Sequence, residues 1–283
     1  MKYKFIALLS LVALLFVGCA EQNTVASNTI FVSIAPLKPL IEGIVGDSFE
    51  VKVLVPQGAS PETFEPSPKQ LREVEKSRLL FSTGLLDFES NLIARIAKRE
   101  QVIELHHGIK LIAGTCSHAG HCGHSHGIDP HIWCSPKSIA QMADNAYKAI
   151  LQAMPDSVAY SNNYNELCVK ILDLNEEITE ICRIASRTSF IIYHPALTYL
   201  ARDYSLQQIA IENEGKEPSA RRLGEVIDIA RREGITKILY QSEFPASSVE
   251  VICQDTGGKA VEINPLAEDI FTNIRNIVTT ITE

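Results

Sequence analysis

The sequence lacks three features, and each absence excludes a class of protein. No run of Lys and Arg is long enough to follow a phosphate backbone, and Asp plus Glu outnumber Lys plus Arg by 34 to 26, so no nucleic-acid partner is expected. Only one long apolar run occurs, which excludes a polytopic membrane protein. The His-Glu-x-x-His helix of zinc hydrolases is missing. The 283 residues, 46% of them hydrophobic, are instead typical of a globular chain with one large domain or two lobes.

The apolar run at the start has the organisation of a secretory signal. Lys2 and Lys4 precede the run 5–17, which is shorter than the about 20 residues needed to span a membrane. Removal of this segment takes away two Lys and no acid, so the exported part is more acidic than the full chain with its net charge of −8. We therefore expect an acidic protein outside the cytoplasm.

The signal ends in Val17-Gly18-Cys19, which resembles the lipobox of bacterial lipoproteins, where the cysteine is acylated and becomes the mature N-terminus. This predicts a lipoprotein signal peptide at 1–18, a lipid on Cys19 and a polar tether at 19–28. A plain signal anchor is the alternative. The expected localisation is extracytoplasmic, with the lipid in a bacterial membrane and the protein facing the periplasm or the cell surface.

From residue 29 onward, short apolar runs alternate with helical patterns. This alternation predicts an α/β fold of two lobes, each a parallel sheet flanked by helices. The N-terminal lobe is 29–155, one long linking helix is 156–187, and the C-terminal lobe is 188–283. The predicted strands are 29–34, 48–55, 79–82, 101–105, 190–193, 207–211, 238–240 and 260–263. The other predicted helices are 37–45, 88–98, 136–153, 221–232, 247–255 and 269–281.

Six cysteines remain outside the lipobox. Cys116 and Cys122 share a Gly-rich loop, where both a disulfide and a soft metal site are open. Cys168 and Cys182 are four turns apart on the linking helix and cannot reach each other. Together with Cys253, they are interpreted as small buried hydrophobic residues.

The segment 116–127 is rich in His, Gly and Cys, and its imidazoles are separated by small residues. Neutral imidazole is a common ligand for zinc and other late first-row ions, so we expect this His-rich loop to contact metal as an auxiliary site. A solvated loop without a metal role is the alternative. The histidines of this auxiliary loop are His118, His121, His124 and His126.

Two further histidines and a Pro-rich loop have positions typical of a ligand site. His194 directly follows the predicted strand 190–193, and open α/β sheets place their ligands at the carboxyl ends of strands. His131 lies in a rigid Asp-Pro-His sequence. Glu62 and Glu65 are held among prolines in a loop after an earlier strand. Each of these alone is also compatible with a structural residue or a surface turn.

Five motifs together carry a specific resemblance. They are Gly58-Ala-Ser-Pro61, Glu65-Pro-Ser-Pro68, Asp129-Pro-His131-Ile-Trp133, Tyr193-His194-Pro195 and Glu214-Gly-Lys-Glu-Pro-Ser219. In this order they resemble the zinc- and manganese-binding lipoproteins of bacterial metal ABC importers, from about residue 29 to the C-terminus. The resemblance implies a substrate-binding protein with a helical hinge, one metal site between the lobes and an importer permease as partner. We expect it to act as a monomer.

The resemblance also implies a ligand set. His131 and His194 match two family ligands, and Glu62 stands at the first ligand position, where the family usually has His. Asn264 stands at the last position, where the family usually has Asp. A neutral amide oxygen is a poor zinc ligand, so water could fill this position, and Glu65 or Glu243 could supply the missing charge.

The leading hypothesis is therefore a lipid-anchored receptor, not an enzyme, that binds Zn²⁺ and delivers it to an ABC importer. Two imidazoles and one carboxylate favour zinc over manganese, with Mn²⁺ as the second candidate. A zinc-dependent hydrolase is the alternative, because two His, one Glu and water also form a hydrolytic site. The spread of the ligands across both lobes argues against it. A metal-binding surface adhesin is a third candidate.

Overall fold

The computed structural model describes residues 28–97, 99–114, 127–155, 158–212, 217–244 and 246–283. The signal peptide 1–18, Cys19, the tether up to residue 27, and the His-rich loop with Cys116 and Cys122 lie outside the described residues, apart from residue 127 at the end of that loop. In the described ranges no helix is both long enough and apolar enough to cross a bilayer.

Eight strands in the described part of the chain form two sheets. They are β1 (Thr29–Val32), β2 (Glu50–Val53), β3 (Leu79–Ser82), β4 (Val102–Glu104), β5 (Ser189–Ile192), β6 (Gln207–Ala210), β7 (Lys237–Tyr240) and β8 (Lys259–Glu262). The α-helices of the same residues are α1 (Lys38–Val45), α2 (Pro68–Lys76), α3 (Asp87–Arg95), α4 (Pro136–Ala153), α5 (Val158–Ile184), α6 (Thr198–Asp203), α7 (Ala220–Glu233), α8 (Ser247–Thr256) and α9 (Ile270–Thr282).

Both sheets are parallel and share one topology. Their strand orders are β2-β1-β3-β4 and β6-β5-β7-β8. In each sheet the first strand of the lobe therefore pairs with both the second and the third, so that the chain changes direction across the sheet at this point. Ligands of open α/β sheets bind outside the carboxyl ends of strands at such a switch. The predicted fold class of two α/β lobes with a linking helix is confirmed.

The linking helix α5 buries one stripe of side chains. It packs on α1 and α4 of the N-terminal lobe and on α9 of the C-terminal lobe. Its buried residues are Tyr160, Leu167, Ile171, Leu174 and Ile178. Because they are three, four or seven residues apart, they form one apolar face, while the opposite face is left to solvent.

One continuous apolar core connects the lobes. It extends from β3, where Leu80 is buried, through Leu174 of α5 to Ile192 of β5 and Ile274 of α9. A smaller core covers the other face of the C-terminal sheet. Separation of the lobes would expose this shared apolar surface at about 25 cal/mol per Å², which restricts their relative motion.

The cysteines correct one expectation. Cys168, Cys182 and Cys253 are free but only half-buried, so their interpretation as buried hydrophobic residues was wrong. Cys168 lies one position beyond the buried Leu167 and therefore flanks the apolar stripe of α5. Cys134, by contrast, is buried.

Candidate metal centre

Three side chains of the types that bind zinc converge between the lobes. Glu62 lies in the loop after β2, His131 in the segment before α4, and His194 two residues after β5. One ligand atom of each lies within 4.8 Å of the others. The Nε2 atoms of His131 and His194 are 3.3 Å apart, and Glu62 Oε1 is 3.2 Å from His194 Nε2. Four ligands placed about 2.0–2.1 Å from a tetrahedral zinc ion are separated by about 3.3 Å, so both spacings suit one ion.

A carboxylate fixes the orientation of each imidazole. Asp129 Oδ1 is 2.8 Å from His131 Nδ1, and Glu212 Oε1 is 2.8 Å from His194 Nδ1. Because an ionised carboxylate only accepts hydrogen bonds, each Nδ1 carries the hydrogen and each Nε2 keeps its lone pair. Two lone pairs and the Glu62 carboxylate therefore face one another. Such an arrangement requires a cation, either a metal ion or a proton, at its centre.

Hydrogen bonds to the backbone hold His131 in place. The His131 amide donates to Asp129 Oδ1 over 2.9 Å, so the same carboxylate binds both the main chain and the ring. The hydroxyl of Tyr199, in α6 of the other lobe, donates to the Asp129 carbonyl over 2.7 Å. These contacts explain why the Asp-Pro-His sequence presents its imidazole in one direction.

Gln241 plays the equivalent part for His194. This buried residue follows β7, and its amide nitrogen donates to the His194 carbonyl over 2.9 Å. Its amide oxygen accepts from the His194 amide over 3.3 Å. The ring of Phe244 stacks on the imidazole with a centroid separation of 4.9 Å. The loop after β5 is thereby fixed by the neighbouring strand β7.

Glu62 is presented by a tight loop after β2. Gly58 has φ of +81°, a conformation that favours glycine, and Ala59 donates to the Pro56 carbonyl over 3.1 Å. The Glu62 amide donates to Ser60 Oγ over 3.3 Å. The Glu62 side chain is 43% exposed, whereas His131 and His194 are 12% and 13% exposed. Glu62 is therefore the ligand at the solvent-facing rim.

The three side chains line a small cavity of about 40 Å³. This volume is enough for an ion with one or two waters, each of which occupies about 30 Å³ in the liquid. Most of the remaining wall is apolar. It includes Pro61, Leu86, Trp133, Ala196, Phe244, Pro265 and Leu266. A wall of this kind excludes bulk water and strengthens the electrostatic attraction between an ion and its ligands.

The charges around His194 raise its pKa. Burial is the largest single influence and acts to lower the pKa, but the hydrogen bond to Glu212 and the charges of Glu62 and Asp129 together outweigh it. For Asp129, burial acts to raise the pKa, but the positive charge and hydrogen bonds of His131 hold it below the usual value. Both shifts have the same meaning, since the surroundings favour a positive charge between buried carboxylates.

The other predicted site residues do not belong to the group of three converging ligands. Asn264 Oδ1 accepts from the Leu266 amide over 2.9 Å, and the residue lines a neighbouring cavity of about 500 Å³. Glu243 lines both cavities and so lies at the wall of the site. Glu65 is exposed and does not line the metal cavity.

Three positioning residues were missed by sequence reasoning, namely Glu212, Gln241 and Asp129 in its role as a hydrogen-bond acceptor. Glu212 follows β6 by two residues, and Gln241 follows β7 directly. Both therefore lie at carboxyl ends of strands, as His194 does. A polar residue directly after a buried strand of a parallel sheet is the signal that could have found them.

The chain has relatives of known type. Residues 30–283 match the family model described as zinc-uptake complex component A, periplasmic (ZnuA). The zinc-binding protein AdcA of Streptococcus pyogenes serotype M3 is 25% identical over an alignment 318 residues long, gaps included, which covers 99% of this chain and 61% of AdcA. This chain thus spans less than two thirds of the length of that relative. The high-affinity zinc uptake system protein ZnuA of Bacillus subtilis is 26% identical over 274 residues, which cover 89% of this chain and 85% of that protein.

A solved structure agrees with these sequence relatives. A crystal structure of ZnuA is 32% identical and has a TM-score of 0.82, with coverage of 90% of this chain and 98% of that one. The resemblance to substrate-binding proteins of metal ABC importers is confirmed. The chain belongs to the ZnuA family, the periplasmic A components of zinc-uptake complexes.

Proposed function

We propose that this protein captures Zn²⁺ outside the cytoplasmic membrane and passes it to the permease of an ABC importer. One observation carries the proposal: the lone pairs of His131 and His194 and the carboxylate of Glu62 converge at spacings of 3.2–3.3 Å. All three ligands come from one chain, so the site is complete in a monomer. The relatives that bind or take up zinc support zinc as the ion.

The charge of the site suits zinc without a second carboxylate ligand. Zn²⁺ bound to two neutral imidazoles and Glu62 retains a charge of +1. The buried carboxylates of Asp129 and Glu212 lie directly behind the imidazoles and stabilise that charge. Asn264 therefore need not be charged, and we infer that water near Glu243 completes the tetrahedron.

Zinc is preferred over manganese because of the ligand types. Imidazole suits late first-row ions, and affinity for a site of given ligands rises from Mn²⁺ towards the end of the row. Mn²⁺ favours more oxygen ligands than the one carboxylate among the three converging side chains. A competitive titration should therefore show zinc displacing manganese from one site.

The cavity supports a receptor rather than a hydrolase. A volume of about 40 Å³ holds an ion and its water, whereas sites for organic ligands usually measure about 300–1,000 Å³. The ligands also lie on both lobes around a shared core, which leaves little freedom to admit a large substrate. Stoichiometric zinc binding without hydrolysis is the expected behaviour.

Growth under zinc limitation tests the proposed function. A bacterial host that lacks this chain should grow poorly when zinc is chelated, and the wild-type chain should restore growth. His194→Ala should fail to restore it although the protein is made and exported, because the cleft no longer holds the ion. Lys110→Ala serves as the matched control, since Lys110 is an exposed residue that belongs to neither the cleft nor the Glu104, His106 and His107 group. Equal rescue by wild type and His194→Ala would refute zinc capture in the cleft.

The lipid anchor is proposed from Val17-Gly18-Cys19. Cys19→Ser removes the thiol that would be acylated, so the variant should move from the detergent phase to the aqueous phase in a two-phase separation. Cys253→Ser is the control for loss of a cysteine and should stay with the detergent. Detergent partitioning of Cys19→Ser equal to that of the wild type would contradict acylation at this residue.

Zinc binding should weaken with acid at a higher pH than free imidazole would predict. The pKa of His194 is raised, so protons compete with zinc for Nε2 as the pH falls through that value, beginning above about 6.5. In the metal-free protein a fall in pH instead increases the free energy of unfolding. Because the pKa of His194 is raised in the folded protein, its protonation stabilises the fold fully below the pKa of His194 in the unfolded chain. This contribution is lost as the pH rises through the pKa of His194 in the folded protein.

Calorimetric zinc titrations and thermal melts over about pH 5.5–8.5 measure both effects. The zinc affinity should fall by up to about tenfold per pH unit for each proton displaced. Glu212→Gln removes a charge that raises the pKa of His194, so the onset should move to lower pH. A zinc affinity that is constant down to pH 5.5 would exclude competition by His194.

A further inference from the structure

A second group of metal-binding side chains lies outside the cleft, at the carboxyl end of β4. One ligand atom each of Glu104, His106 and His107 lies within 4.8 Å of the others. His107 Nε2 is 3.9 Å from Glu104 Oε2, and the two imidazole rings have a centroid separation of 4.4 Å. This is the same residue set, two His and one Glu, as in the cleft, but on a single lobe.

The His106 ring is oriented by the main chain. Its Nδ1 is 3.0 Å from the carbonyl oxygen of Thr83, in the loop after β3. A carbonyl only accepts hydrogen bonds, so Nδ1 carries the hydrogen and Nε2 keeps its lone pair. A histidine whose Nδ1–H is bound to a backbone carbonyl is the usual arrangement of a metal ligand that binds through Nε2.

Gly84 leaves the space that the His106 ring occupies. Gly84 has φ of +76°, and a Cβ at this position would lie 2.5 Å from His106 Nδ1 and 2.9 Å from Glu104 Cβ. No other residue type could stand there without displacing the ring. The loop after β3 is thus shaped around this imidazole.

The turn that carries the two histidines is also fixed. The Asn145 side chain in α4 donates to the carbonyls of Leu105 and His107, over 2.9 and 2.7 Å. The Ile109 amide closes the turn on the His106 carbonyl over 3.0 Å. The backbone on both sides of His106 is therefore held by contacts that do not involve the ligand atoms.

We infer that Glu104, His106 and His107 form a second binding site for Zn²⁺ or another late first-row divalent ion. His106 binds through Nε2, while His107 and Glu104 close on the ion from the solvent side. This site is weaker than the cleft, because the side chains of His107 and Glu104 are 68% and 38% exposed and must be ordered on binding. It goes beyond the proposed function, since it shares none of the three cleft ligands.

Zinc equivalents counted by equilibrium dialysis test this inference. The starting protein is the full chain with serine at every His and Cys of the His-rich loop, so that the loop contributes no ligands. The replaced residues are Cys116, His118, His121, Cys122, His124 and His126. We expect two equivalents, one tight and one weak.

His107→Ala should weaken the weak equivalent at least about tenfold and leave the tight one unchanged, as expected for the loss of one of its three ligands. His107 is exposed, so this change carries little risk to folding. The exposed neighbour Lys110 provides a matched control, and Lys110→Ala should keep both equivalents. In nitrogen NMR spectra, saturation of the weak site should shift His106 Nε2 and leave Nδ1 protonated.

His194→Ala distinguishes the two sites. In the protein with the serine-substituted His-rich loop, this variant should lose the tight zinc equivalent of the cleft and keep the weak one. A starting protein that binds a single equivalent, or a weak equivalent that survives His107→Ala at full strength, would overturn the second site. Neither result would bear on zinc capture in the cleft.

Discussion

Replacement of His194 by alanine is expected to abolish most of the rise in melting temperature that zinc confers. Zinc bound only to the folded state stabilises the protein by RT ln(1 + [L]/Kd), which is about 4 kcal/mol at a thousandfold excess over Kd. His194→Ala removes the ligand that the C-terminal lobe contributes, so the ion no longer bridges the lobes. Thermal melts with and without zinc measure the loss.

His131→Ala should produce the same loss from the other lobe, whereas His107→Ala should retain the cleft-dependent rise. The metal-free melting temperatures provide the reference, because removal of His194 also leaves Glu212 without its hydrogen-bond partner. If His194→Ala keeps the full zinc-dependent rise, the ion is bound elsewhere in the chain.

Glu212→Gln is expected to weaken zinc binding by about 10–100-fold although Glu212 does not touch the ion. The substitution removes a buried negative charge behind His194. The neutral amide of glutamine can both donate and accept, so it no longer fixes which ring nitrogen of His194 carries the hydrogen. Asp129→Asn should have an effect of similar size through His131. Competitive titration against a chelator of known affinity measures both changes.

Glu225→Gln is the matched control for Glu212→Gln. Glu225 is an exposed carboxylate of α7 in the same lobe, and it pairs only with surface arginines among the described residues. Its replacement should leave the zinc affinity unchanged. Equal affinities for Glu212→Gln and the wild type would show that the carboxylate behind His194 does not contribute to binding.

Hydrophobic periodicity was sufficient for the long elements. The helix 136–153 and the strand 79–82 were predicted with the bounds that the structure gives, because the helix buries one apolar face and the strand is a short run that is buried throughout. The linking helix was predicted at 156–187, and the described helix is Val158–Ile184. Its apolar stripe extends along the helix without a break, which explains the agreement.

Two short helices were not predicted, for different reasons. α2 buries only Val74, so it has no apolar periodicity, although Ser67 and Gln70 form a capping box in front of it. That capping pair and Pro68 at the first turn were readable signals of a helix start. α6 has only six residues, too few for a period of 3.6 to be recognised.

The ligand types were read from motifs, but the residues behind them were missed. Glu212 directly follows the predicted strand 207–211, unlike Glu214 and Glu217, but its place beside His194 depends on the pairing of β6 with β5. For Asn264, whose neutral amide is a poor zinc ligand, the structure adds a second argument. Its position in the motif suggests a ligand, but its Oδ1 is bonded to the Leu266 amide, and Pro265 accepts a hydrogen bond from Trp133.

Anomalous diffraction at the zinc edge, from crystals of the chain grown with one equivalent of zinc, locates the bound ion itself. We expect one strong peak within about 2.0–2.2 Å of His131 Nε2, His194 Nε2 and a Glu62 carboxylate oxygen, with water as the fourth ligand. A strong peak at any other position, with this cleft empty, would contradict this expectation.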